Sequence, residues 1–107
     1  MKLHWSLVLN TQDKTKASRI LRLMEPYENL VVEKFIEPSS SGVKADLDVA
    51  LTGEWPAVAV EALRKVAAVG VPFTVFIHPD DTVIGLEGVI STPSMVGVTW
   101  AGWSLIP

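Results

Sequence analysis

From Val43 to Thr52 the chain alternates without a fault. Val43, Ala45, Leu47, Val49 and Leu51 are apolar, and Lys44, Asp46, Asp48, Ala50 and Thr52 fill the positions between them. Successive side chains of a strand point to opposite faces, so this segment predicts a strand buried on one face only. Leu3 to Asn10 repeats the pattern: Leu3, Trp5, Leu7 and Leu9 point one way, and His4, Ser6, Val8 and Asn10 the other. Strands of this kind need a covering layer on their apolar side and tolerate water on the other.

The covering layer is also written in the sequence. After Thr11 or Asp13, either of which suits a helix N-cap, Ala17, Ile20, Leu21 and Met24 fall on one helical stripe, and Pro26 ends it. Pro56 suits the first turn of a second helix, whose stripe is Ala59, Ala62, Leu63, Val66 and Val69, with Gly70 as its C-terminal cap. Leu30 to Glu37 reads as a strand whose Glu33, Lys34 and Glu37 suit a sheet edge. The run Pro38 to Gly42 is a loop that makes a hairpin of Leu30 to Thr52. Phe73 to His78 and Thr82 to Ile90 read as two strands around the turn Pro79-Asp80-Asp81, with Gly85 and Gly88 marking a bulge. Met95 to Ile106 is a tryptophan-bearing final strand or an irregular tail.

The element order β-α-β-β-α-β plus a C-terminal β-hairpin extension predicts an α+β, ferredoxin-like sheet, ordered 4-1-3-2, with both helices on one face. The length of 107 residues suits a single domain spanning 1–107. In that order the first and fourth strands are antiparallel neighbours, which would bring His4 near His78. The helix-free face then shows His4, Ser6, Val8 and Asn10 beside Lys44, Asp46, Asp48, Ala50 and Thr52.

The formal net charge of −3 and dispersed lysines and arginines argue against a nucleic-acid backbone as partner. No cysteine is present, which removes thiol chemistry and disulfides and fits a reducing, cytoplasmic setting. No apolar run approaches the ~18 residues that span a bilayer, so no membrane segment is expected.

Chemistry-bearing candidates are few. His4, His78, Asp80 and Asp81 form one possible acid–base or metal site, since a carboxylate orients an imidazole; a surface strand residue and an ordinary Pro-Asp-Asp turn explain the same four equally simply. Asp46 and Asp48, two apart on one strand, share a face and suit a cation or a basic partner, or are plainly solvated. Trp100 and Trp103 suit an interface, where aromatic residues are enriched, or the core. No metal-ligand spacing, phosphate loop or nucleophile motif is present, so no cofactor and no metal are expected.

Three functions follow in order. The first is a non-catalytic acidic protein-binding module, in one version an immunity or antitoxin-type inhibitor of a basic partner, contacting it through Asp46, Asp48, Trp100 and Trp103. The second is a small-molecule-sensing regulatory domain that forms a homodimer through its sheet. The third is a small enzyme using His4 or His78.

Overall fold

A computed structural model describes residues 1–36, 41–79 and 84–107. The elements are β1 (Lys2–Leu9), α1 (Lys14–Leu21) continued by a 3-10 turn over Arg22–Met24, β2 (Glu28–Ile36), β3 (Ser41–Ala50), α2 (Ala57–Val69), β4 (Thr74–Pro79), β5 (Ile84–Ile90) and β6 (Val98–Ile106). The Asp13 carboxylate caps α1 by accepting from the Thr15 amide at 2.8 Å, while the Thr11 hydroxyl accepts from the Asp13 amide at 3.1 Å. Both polar residues before the helix therefore serve its entry, with Asp13 as the cap proper. Gly70 follows α2 in an extended conformation, at φ 176°. Its bare Cα is needed for packing, because a Cβ there would meet Ile90 Cγ2 at 2.9 Å and Pro93 Cα at 3.0 Å.

All six strands form one antiparallel sheet in the order β2-β3-β1-β6-β5-β4. The α+β class and the strand–helix alternation agree with the sequence; the ferredoxin-like order does not. The place beside β1 belongs to β6, and β4 lies at the far edge beyond β5. Length explains the exchange. β6 has nine residues against the eight of β1, and places Ala101, Trp103 and Leu105 opposite Leu7, Trp5 and Leu3. The six residues of β4 would leave part of that strand unpaired. The tryptophan-bearing segment is thus a central strand, and β4–β5 is the hairpin that extends the sheet. β5 pairs on both sides without a register shift, so Gly88 marks no bulge. It instead lets the Thr74 carbonyl and the Trp103 indole approach closely.

The core lies on one face. Leu3, Trp5, Leu7 and Leu9 of β1 are buried together with Val43, Ala45, Leu47 and Val49 of β3 and Ala101, Trp103 and Leu105 of β6. Ala17 and Leu21 of α1, and Val58, Ala62, Val66 and Val69 of α2, join the same cluster. No helix among the described residues is long and apolar enough to cross a membrane.

Candidate site on the open sheet face

Cross-strand partners share a face, so the register lays out the side of the sheet that the core leaves free. One transverse row runs Glu28, Asp48, His4, Ser104, Glu87, Phe76 across β2, β3, β1, β6, β5 and β4. The next runs Val31, Asp46, Ser6, Gly102, Val89, Thr74. None of the described elements lies over these rows, and Phe76 and Trp100 remain 50% and 38% exposed.

The polar half of the face is a connected network. Asp48, whose side chain is only 12% exposed, sits 2.6 Å from His4 Nδ1 through one oxygen and accepts from the Asn29 amide at 3.0 Å through the other. Those bonds, from Asn29 first and His4 second, hold the Asp48 carboxyl below its usual range against the opposing effect of burial. An ionised carboxylate only accepts, so the proton of this bond resides on Nδ1 and the imidazole turns Nε2 outward. Nε2 lies 3.7 Å from Asp46 Oδ1, and that same oxygen accepts from the Ser6 hydroxyl. At the edge of the row Lys2 and Glu28 pair at 2.8 Å.

Beside this network the face dips into a cleft of about 290 Å³. His4, Ser6, Ser104 and Glu87 supply its polar lining, and Trp100, Phe76 and Val89 apolar lining. Gly102 shapes the floor. A Cβ there would lie 2.6 Å from the Trp100 ring, so the indole folds over the glycine and exposes its other side.

Asp46, Asp48 and Trp100 therefore share the open face with His4. Trp103 does not: it pairs with Trp5, takes the opposite parity to Trp100 after a three-residue step, and is 3% exposed in the core. So buried, Trp103 presents little surface to a partner, although it borders the cleft from below. The expected neighbourhood of His4 and His78 is corrected too. With β6 and β5 between their strands, and His78 two residues beyond the position on β4 that shares the row of His4, they stand more than three strand spacings, at least about 14 Å, apart. Asp80 and Asp81 lie outside the described residues. Among the described residues no group of three or more His, Cys, Asp or Glu side chains is placed to hold a metal ion.

Asn29 is the site residue that sequence reasoning missed. It has a positive φ of 58°, and the β2–β3 register shifts between Glu28 and Val31. Asparagine tolerates this conformation better than most residues, and the bulge turns its amide toward Asp48. The available signal was an asparagine just before an apolar strand, which reads equally well as a turn.

The chain matches no family model, no curated protein and no solved structure.

Proposed function

We propose that the chain is a non-catalytic binding module whose open sheet face receives a basic partner protein, and that the cleft between His4 and Trp100 takes a cationic side chain of that partner. The observation that carries this reading is the presence of exposed aromatic side chains and a carboxylate in one cleft: Trp100 and Phe76 line it together with Glu87, His4 and the serines. A guanidinium attracts the face of an indole and hydrogen-bonds a carboxylate, so such a cleft suits arginine on two counts. The surroundings favour the same charge, since among the described residues Glu28, Glu33, Asp46, Asp48 and Glu87 share this face with Lys2 and Lys44. Opposed charge steers encounter, and the aromatic anchors supply contact area. A module of this kind acts by covering a basic surface, as an immunity or antitoxin-type inhibitor does.

The His4–Asp48 pair also resembles an oriented general base. The Ser6 hydroxyl is committed to Asp46 rather than to His4, so the geometry offers no activated nucleophile there.

The test is affinity capture from the source cell, with wild-type protein and Trp100→Ala as parallel baits, read by mass spectrometry. A stoichiometric basic protein held by the wild type and lost with the variant supports the reading. Equal capture by both baits, or recovery of the chain alone, defeats it. The second outcome would favour a regulatory domain that dimerises through its sheet, a reading supported by the exposed apolar edge at β4, where Val75, Phe76 and Ile77 are 36%, 50% and 63% exposed.

A further inference from the structure

The lining of the open-face cleft includes one imidazole, that of His4. Carboxylates flank both of its nitrogens: Asp48 Oδ1 lies 2.6 Å from Nδ1, and Asp46 Oδ1 lies 3.7 Å from Nε2. With the Nδ1 proton committed to Asp48, a neutral ring keeps Nε2 as an acceptor, which suits a guanidinium. A second proton makes Nε2 a donor beside Asp46 and adds a full positive charge to the cleft. Imidazole is the side chain whose charge ordinarily changes between pH 5 and 8, whereas carboxylates and lysine amines ordinarily titrate outside that range. The groups around His4 are of the second kind or neutral. β3 contributes Asp46, Asp48 and, two rows along, Lys44 opposite Glu33 of β2; β6 contributes Gly102 and Ser104, β5 Glu87 and β4 Phe76. Lys2, on the same strand, is paired with Glu28.

We propose that His4 is a proton switch on this cleft: the neutral ring admits a cationic side chain, and the protonated ring repels it. The inference rests on the reading of the cleft as a receptor for cations. Asp48 defines the switch, because it fixes which nitrogen gains the second proton. It stays ionised while His4 titrates, since the bonds from Asn29 and His4 hold its carboxyl below the usual range. Asp46 completes it. The Ser6 hydroxyl already holds the Asp46 oxygen that lies beside Nε2, so a protonated Nε2 finds an oriented acceptor within the protein. Binding of a cation and protonation of His4 then oppose each other, and linkage makes the opposition reciprocal: a bound cation moves the His4 titration to lower pH.

The test uses an arginine-rich peptide with blocked termini, whose own charge is constant over the range studied. Its affinity is measured by calorimetry at about pH 5.5 and about pH 7.5, on either side of the ordinary imidazole value, at fixed ionic strength. Affinity is expected to be weaker at the lower pH by about tenfold, the scale of one partly screened like-charge contact. NMR of the His4 ring protons should show its titration midpoint at lower pH when the peptide is bound. His4→Gln should bind the peptide equally at both pH values, and His78→Gln, which removes the other histidine, should keep the wild-type dependence. The wild-type midpoint decides the matter even if His4→Gln does not fold. Peptide bound in the cleft with equal affinity at both pH values and an unmoved His4 midpoint overturns the switch and leaves the receptor reading standing. A pH dependence that persists in folded His4→Gln overturns the switch as well. No binding at either pH overturns the receptor reading and the switch with it.

Discussion

Asp48 carries more of the site than its charge suggests. Its carboxylate is spent inside the protein, on Asn29 and His4, and so fixes the ring that faces the cleft. Because its folded pKa is lowered, the stabilisation it provides is present above the unfolded value of about 4 and is lost as pH falls through the lower folded value. Asp48→Ala should therefore cost about 2 kcal/mol at pH 7, where His4 and Asn29 are left without their acceptor. The gap to wild type should shrink progressively as pH falls below about 4 and be smallest below the lowered folded value, where the folded wild type also loses the charge. Urea denaturation at both pH values checks this; a gap that is independent of pH would mean that the carboxylate is not ionised in the bonds described. The face on which His4, Asp46 and Asp48 sit was legible from alternation alone. Which oxygen meets which nitrogen was not, because it depends on register and on the positive φ of Asn29.

At the scale of elements, β6 separates its two tryptophans by function. Trp103 belongs to the core and Trp100 to the open face. Trp103→Ala should lose about 3–5 kcal/mol of stability and Trp100→Ala less than about 1 kcal/mol, by chemical denaturation. Comparable losses would contradict the assigned parity of β6. The two edges of the sheet differ as sharply. β2 carries Glu28, Glu33 and Lys34, charges that discourage a further strand, whereas β4 leaves Val75, Phe76 and Ile77 exposed. Association with rising concentration is the expected consequence, and Ile77→Lys should reduce it while changing stability by no more than about 0.5 kcal/mol. Sedimentation of both proteins over a concentration series decides the matter, and a wild type that stays monomeric throughout removes the dimer reading. The charged edge of β2 was visible in the sequence. The bare edge of β4 was not, since its apolar run reads equally well as a central strand.

Over the whole molecule, the local patterns named the elements and the buried stripe, but not the order of the strands. Leu3, Trp5, Leu7 and Leu9 alternate whichever strand lies beside them, and helical stripes at Ala17–Leu21 and Val58–Val69 fit several sheets. The choice between β4 and β6 beside β1 rests on matched strand length and on the long-range pairing of Trp5 with Trp103, which no local window contains. That choice places Trp100, Gly102 and Ser104 next to His4 and so creates the cleft. The most direct test of the cleft as a receptor for cations is a titration of isotopically labelled protein with an arginine-rich peptide, beside the same peptide with citrulline in place of arginine. Backbone shifts concentrated at His4, Glu87, Gly102 and Ser104 are expected with arginine, weakened by added salt and nearly absent with citrulline. Equal shifts from both peptides, or shifts centred away from that cleft, would contradict it.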